Sequence, residues 1–376
     1  MSFITQAQLK RIYYGQGALK SLSKETECAK KVLLLCSKSL STTPLVGQVQ
    51  QLCRAALTVT DISQHTPQAS VDSAVQKAKS LGADVIVAFG GGSVVDGAKA
   101  ISKGISSGDA YIPVIAIPTT LSAAEFSPGV GISQPDASGR IHKEGFSDQK
   151  CQPVCVILDP EVTVSTPEQL WLTTGIRALD HSVETLYTYN PVATPMALES
   201  IRTIFTQLPM SKRNPDALKP RADLQVAAWQ SMFYVATTNT HAPSKHEMLS
   251  HTISKRIGAA YNVGHGISSC VCLPYVMRYM VEQDSDGELT AQLARIHRDA
   301  LQKPTNGDRA DALAAADAVQ ELIQSLGLPI RLSDIGVKEE DLDPILEKSV
   351  ARSRKEGRQV DEQRQQSLKE LLKSMY

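Results

Sequence analysis

The spacing of hydrophobic and polar positions changes character once along this chain. Through the first 160 residues short β-rich runs alternate with amphipathic stretches, the pattern of parallel α/β units. KKVLLLCS (31–38), ALTVTDI (56–62), DVIVAFG (84–90), PVIAIPT (113–119) and VCVILDP (154–160) read as strands. Between the second and third, VDSAVQKAKSLG (71–82) sets Val71, Ala74, Val75 and Ala78 at i, i+3, i+4, i+7 spacing, which predicts a helix with one buried face. The polar, turn-rich segment 133–153 reads as a hairpin or a mobile loop. From TPEQLWLTTGIRALDH onward the β-runs stop and helical periodicity continues to the end, so the expected division is residues 1–162 and 163–376. Residues 208–224, with Pro209, Pro215 and Pro220, read as a helix connection rather than a domain break, and the charged tail ends in a short helix.

Length and composition narrow the partners. A chain of 376 residues exceeds one ordinary core and suits two domains. Its 39 Lys and Arg balance 39 Asp and Glu, leaving no basic excess for nucleic acid or an acidic membrane. A small neutral or anionic ligand fits better. Seven cysteines, an odd number without CxxC pairs, and a start (MSFITQAQLKRIYYG) lacking the apolar run of a signal peptide point to a reduced, cytoplasmic protein. No stretch approaches the length of a membrane-spanning helix.

Candidate chemistry clusters in four places. In VIVAFGGGSVVDGAKAI an apolar strand runs into Gly90, Gly91, Gly92 and Ser93 and then a helix, so the backbone can approach a phosphate and amides at the helix start can hold it. A plain tight turn also explains three glycines, and the run is not GxGxxG. The next strand ends in AIPTTLSAAEFS, which puts Thr119, Thr120 and Ser122 at its C-terminal edge, as ligand contacts, helix caps, or both. Five of the eight histidines (His181, His241, His246, His251, His265) fall between 181 and 265, whereas His65, His142 and His297 read as ordinary. HTISKRIGAAYNVGHG separates His251 from His265 by fourteen residues, with Lys255 on the same helix face as His251. GIRALDHSVE (175–184) puts Arg177 one helical turn before His181. A guanidinium cannot ligate a cation; if buried without an anionic partner it awaits an anion, and the plainer reading is a salt bridge with Asp180 or Glu184.

GGGSVVDGAKAI, PTTLSAAE, GIRALDHSVE and SHTISKRIGAAYNVGHG followed by LPYVMRY, in this order and spacing, resemble the iron-containing alcohol dehydrogenases and the related maleylacetate reductases over nearly the whole chain. The resemblance implies the dehydroquinate synthase-like fold: a Rossmann-like α/β N-terminal domain with a parallel sheet that binds a dinucleotide, an all-α C-terminal domain, and an active site in the cleft between them. It implies Ser37, Gly91, Gly92, Ser93, Asp96, Thr119, Thr120, Ser122 and Lys143 for the cofactor, and Arg177, His181, His251, Lys255 and His265 around the substrate. The metal ligands of the iron-containing members are one Asp and three His. The histidines match His181, His251 and His265, but the aspartate position is Arg177, and Lys255 stands where a further active-site histidine is often found.

Two cations there oppose a divalent ion, so no metal is expected, as in the resembling maleylacetate reductases, where the aspartate is also absent. Arg177 would replace the metal's charge, stabilising an oxyanion or clamping a carboxylate. Many members carry an Asp after the first strand that excludes a 2′-phosphate; here Ser37 and Lys38 follow, so NADPH is favoured or both NADPH and NADH are accepted. The expected protein is a nicotinamide-dependent, metal-independent reductase of a carbonyl or activated C=C bond, a homodimer acting on a small molecule with no nucleic-acid or membrane partner. The alternative is a non-redox lyase or isomerase that uses the His/Arg/Lys pocket for acid–base work. A silent binding protein is disfavoured, because all three histidines remain.

Overall fold

The computed structural model describes residues 9–106, 111–135, 141–237, 246–261, 263–355 and 357–376. Its first part runs β1 (Arg11–Tyr14), the single-turn α1 (Leu22–Glu25), β2 (Val32–Cys36), α2 (Pro44–Cys53), β3 (Leu57–Val59), α3 (Gln68–Leu81), β4 (Val85–Gly90), α4 (Gly92–Ile105), β5 (Val114–Pro118), β6 (Gly129–Pro135), β7 (Ile141–Ser147) and β8 (Cys155–Leu158). Six strands form a parallel sheet in the order β1-β8-β5-β4-β2-β3. Every residue of β2, β5 and β8 is buried, as expected when both faces of a parallel sheet are covered. That is why these strands read as unbroken apolar runs. In α3 the four buried positions are Val71, Ala74, Val75 and Ala78, the predicted face.

Two features were less legible. The edge strand β1 is four residues long and half exposed, with Tyr14 73% exposed, so it carries neither a long apolar run nor a strict alternation. The turn-rich segment after residue 133 forms the outer half of an antiparallel hairpin, β6 with β7, registered from Gly129↔Ser147 to Pro135↔Ile141. The hairpin option is the one realised.

The sheet order places the site. The chain goes from β2 outward to β3, then returns to the other side of β2 to build β4, β5 and β8. The turns leaving β2 and β4 therefore flank a reversal of strand order, where open α/β sheets bind ligands beyond the strand C-termini. Ser37 follows β2 and Gly91 follows β4.

Beyond Leu158 the described elements are helical: α5 (Glu168–Leu186), α6 (Ala193–Arg213), α7 (Leu218–Ser231), α8 (Phe233–Thr237), α9 (Leu249–Tyr261), α10 (His265–Gln283), α11 (Glu288–Arg295), α12 (Asp308–Ser325), α13 (Leu342–Lys355) and α14 (Glu362–Ser374). Contacts divide the chain into one unit of Met1–Pro167 with Asn214–Thr240, and a second of Glu168–Arg213 with His241–Tyr376. The proline-bearing segment 208–224 is thus not a mere helix connection: the chain changes unit at Arg213 and returns to the first. Buried Arg221 secures that return, donating through Nη1 to the Thr163 carbonyl and hydroxyl and through Nε to the Pro215 carbonyl. Gln225 adds a longer contact to the Asp159 carbonyl. A helix that buries Arg221 and Gln225 beside Leu224, Ala227 and Ala228 gives no clean apolar stripe to read.

Helix α5 is the central element of the second unit. From Trp171 to Leu186 every residue except His181 is buried. Helix α10 starts hard against it: a Cβ on Gly266 would lie 2.5 Å from the Thr173 carbonyl oxygen, so only glycine permits this approach. Among the described residues, no helix is long and apolar enough to cross a membrane.

Candidate functional site

In the first unit the predicted cofactor residues meet at the turn from β4 into α4. Val94 and Val95 both donate to the Gly91 carbonyl, so the amides of Gly92 and Ser93 precede the first helical acceptor and are available to an anion. Thr119 donates its amide to Gly90, which sets the end of β5 against this turn. A Cβ on Gly91 would come within 3.1 Å of Thr120 Cγ2, and one on Gly92 within 2.8 Å of Ser122 Oγ. The protein's own packing therefore constrains Gly92, while at Gly91 a Cβ asks only a small adjustment of Thr120. Thr119 and Thr120 are 4% exposed, and the Thr120 and Ser122 hydroxyls lie 3.3 Å apart.

Ser93 is gripped from the β3–α3 connection. Its Oγ accepts from the His65 amide at 3.2 Å, and its carbonyl accepts from Thr66 Oγ1 at 3.1 Å. The Ser93 hydroxyl hydrogen is left to donate outward. His65 and Thr66 both sit in the left-handed region (φ 64° and 52°), a costly pair of conformations for non-glycine residues that concentrate at functional loops. The sequence reading set His65 aside as ordinary; nothing in the residue type signals its place beside Ser93.

Asp96, Ser37 and Lys143 stand differently. Both Asp96 oxygens are engaged, Oδ1 with Lys99 Nζ and Oδ2 with the Gly131 amide, tying α4 to the hairpin. Fully buried Lys99 also donates to the carbonyls of Ala124 and Gly129. Nearby, Glu125 is 1% exposed and burial pushes its carboxyl up to about 7, while Lys99 acts in the opposite direction. Ser37 Oγ accepts from the Leu40 amide and lies 3.1 Å from Ser39 Oγ, a folded turn just past β2. Lys143 is a backbone partner of Ser133 in the hairpin; its side chain lies outside what is described.

In the second unit α5 presents Arg177, Asp180, His181 and Glu184 at i, i+3, i+4 and i+7, one helix face in polar residues. The His181 and His251 rings stack with centroids 5.1 Å apart. Glu184 receives the His251 backbone amide at 3.1 Å on Oε1, near the start of α9, and its Oε2 lies in direct contact with His251 Nδ1. One carboxylate thus caps the helix and holds the ring. His265 is the first residue of α10, and a Cβ on Gly258 would lie 3.2 Å from its Nδ1, which places the ring against α9. Lys255 is exposed on α9. His241 lies outside the described residues.

Arg177 has an anionic partner. Its Nη1 donates to Asp180 Oδ2 at 2.9 Å and to Ser269 Oγ at 2.8 Å, and Ser269 Oγ donates to the same Asp180 oxygen at 2.7 Å. The expectation of an unpaired buried cation is corrected: the intrahelical salt bridge forms, because position i+3 on the same turn offers a carboxylate. Glu184, seen in the sequence only as an alternative salt-bridge partner, holds His251 instead. Ser269, on α10, had no signal in the sequence.

Burial sets the local charges. It pushes the His181 and His251 imidazoles well below their ordinary range, with Arg177 and Lys255 adding to the effect, so both rings are neutral at neutral pH. Burial raises Glu184 to about 7 and raises Asp180, while Arg177 opposes both shifts.

The same face also carries a set of possible metal ligands. Asp180, Glu184 and His251 bring ligand atoms within 4.8 Å of one another; Arg177 and Ser269 engage Asp180 Oδ2 and leave Oδ1, and Glu184 touches His251 directly. The position facing His181 one turn earlier is the guanidinium itself.

Comparison with known proteins follows the same outline. A family model described as iron-containing alcohol dehydrogenase matches residues 10–160, and one described as the C-terminal part of the Fe-containing alcohol dehydrogenase family matches residues 171–376. The chain is 28% identical over 347 residues to a maleylacetate reductase of Pseudomonas sp., covering 91% of this chain and 90% of that protein. It is 29% identical over 357 residues to an NAD-dependent methanol dehydrogenase of Bacillus methanolicus, 88% of each. The crystal structure of a maleylacetate reductase from Rhizobium sp. superposes with a TM-score of 0.80 at 27% identity, over 100% of this chain and 98% of that one.

Proposed function

Because this chain belongs to the iron-containing alcohol dehydrogenase family, we propose that it is a nicotinamide-dependent oxidoreductase that reduces a carbonyl or activated C=C bond of a small, anionic molecule without a metal. The observation that carries this reading is Arg177, fixed by Asp180 and Ser269 beside two neutral imidazoles. A guanidinium there would supply directed, charge-assisted hydrogen bonds to an oxyanion or carboxylate where a metal would otherwise act.

The first unit fits a dinucleotide. The Gly92 and Ser93 amides and the Ser93 hydroxyl would hold the pyrophosphate, in a cradle that a Cβ at Gly91 or Gly92 would disturb. Ser37 and Lys38 would face the adenosine ribose with no carboxylate to repel a 2′-phosphate, which favours NADPH or admits both forms. When bound, the reduced nicotinamide supplies the hydride. Arg177 would hold the oxygen on which negative charge develops, and its rigid mounting spares reorganisation at that moment. His251, backed by Glu184 and stacked on His181, would supply the proton the product requires.

The test uses chelator-treated protein, NADPH and NADH, and a panel of oxo acids and aldehydes. Binding of at least one nicotinamide cofactor and turnover that survives the chelator are expected. Absence of cofactor binding in folded protein, or activity that appears only with added Fe(II) or Zn(II), overturns the reading.

A further inference from the structure

The ion pair inside the second unit is only half made. Arginine and carboxylate pair most strongly side by side, two N–H groups to two oxygens. Here Arg177 uses Nη1 alone and Asp180 uses Oδ2 alone. Among the described residues buried Asp180 Oδ1 has no hydrogen-bond partner, and Nη2 and Nε of Arg177 make no hydrogen bond. The arginine side chain is 8% exposed, Asp180 0%. An ion pair this buried does not leave its better geometry unused unless something holds it open.

Ser269 does so. Its Oγ stands within hydrogen-bond distance of both partners, taking the Arg177 Nη1 hydrogen and giving its own to Asp180 Oδ2. The three groups close a triangle between α5 and α10, and the close approach of α10 at Gly266, three residues earlier, keeps Ser269 at that distance. With Nη1 pinned from two directions the guanidinium plane cannot roll onto Asp180. Its other edge, a planar pair of N–H donors, is left for a ligand.

We propose that Asp180 and Ser269 are positioning residues that hold Arg177 as a fixed two-donor fork for a substrate carboxylate. This rests on the reading of the pocket as the substrate site of a reductase, and it adds the two residues that make the arginine selective. Asp180 cancels the formal charge of Arg177, so the fork recruits by shape rather than by net charge. A planar carboxylate satisfies both donors with two straight hydrogen bonds; a spherical anion meets both only at bent angles, and a neutral amide offers a single weaker acceptor.

The experiment measures thermal shift of the full chain on titration with acetate, acetamide and chloride at constant ionic strength. Wild-type protein is expected to bind acetate at least tenfold more tightly than chloride or acetamide. Ser269→Ala should let Arg177 close onto both Asp180 oxygens, so acetate affinity falls at least tenfold towards that of chloride while the ligand-free melting temperature is unchanged or higher. Ser269→Thr, which keeps the hydroxyl, should retain the preference, and Arg177→Lys should lose it. A purely structural role for Ser269 would lower the melting temperature and leave the acetate-to-chloride ratio alone; that result, or a wild-type protein that does not distinguish the three probes, overturns the proposal. NADPH binding, followed separately by nucleotide fluorescence, is expected to be the same in all variants. Its absence from every variant would sink the reductase reading while leaving the acetate result to stand or fall by itself.

Discussion

Replacing Arg177 by methionine separates its part in the fold from its part in the site. The side chain is 8% exposed and faces a carboxylate that is 0% exposed, so Arg177→Met strands Asp180 as a buried charge whose remaining partner is one serine hydroxyl. Removing one member of a buried pair costs about 3–5 kcal/mol. For a folding unit of 150–250 residues that corresponds to a fall of roughly 6–20 °C in melting temperature. The deficit should shrink towards acid pH, since burial already raises the Asp180 carboxyl and the stranded group escapes by protonating.

The double variant Arg177→Met/Asp180→Leu replaces both charges with apolar groups and should recover to within about 2 kcal/mol of wild type, the remainder being Ser269 without its partners. Turnover should not recover. Loss of an oxyanion or carboxylate donor is worth about 2–4 kcal/mol, or roughly 30-fold to 1000-fold in rate, in both the single and the double variant. Melting curves and cofactor-dependent turnover of the four proteins in the cycle decide it. A single variant that melts within about 2 °C of wild type would contradict the buried-pair energetics, and a double variant with full turnover would show that Arg177 serves only the fold.

Gly91→Ala should weaken NADPH binding at least tenfold with little change in melting, because the new Cβ needs only a few tenths of an ångström from Thr120; Gly92→Val should also destabilise, since its first carbon already meets Ser122 Oγ at 2.8 Å. Ser37→Asp should shift the ratio of NADH to NADPH dissociation constants at least tenfold towards NADH, while its carboxylate keeps the Leu40 amide bonded. Glu125→Gln tests a buried acid: with the folded carboxyl at about 7, wild type loses stability as pH rises from the ordinary carboxylate range to neutrality, roughly 3 kcal/mol in all. The glutamine variant should therefore be the more stable protein above pH 7 and match wild type near pH 4, below the ordinary carboxylate range; parallel melting curves would mean that Glu125 is not protonated in the fold. Elemental analysis after exposure to Fe(II) or Zn(II) should find far less than one metal per chain, and one bound equivalent would refute the metal-free site.

The parts of this protein that were legible in the sequence are those where one periodicity or one spacing dominates. β2, β4, β5 and β8 are buried apolar runs, and α3 shows its inner face at the predicted four positions. Arg177 and His181 could be placed on one helix face from their spacing alone. The pairing of Arg177 with Asp180, rather than with an incoming anion, was one of two open readings, because Asp180 and Glu184 both follow Arg177 on α5 and contacts from α10 to Asp180 and from α9 to Glu184 lie outside any local pattern. Ser269 and the grip of His65 and Thr66 on Ser93 join residues 92 and about 28 positions apart, and no local pattern encodes such contacts. Asp96 was grouped with the cofactor residues by its neighbours in the motif, whereas its oxygens are spent on Lys99 and the hairpin.

The return of the chain to the first unit at Asn214 has a consequence for synthesis. As the polypeptide leaves the ribosome, the sheet strands emerge first, but the carbonyls of Asp159 and Thr163 wait for Arg221 and Gln225, some sixty residues later. During that interval α5 is already exposed, carrying Arg177, Asp180 and Glu184 on a helix whose covering elements α9 and α10 do not yet exist. The first unit can therefore be complete while α5 is covered by α6 alone, and the Arg177–Asp180 pair gains its third partner only when Ser269 arrives.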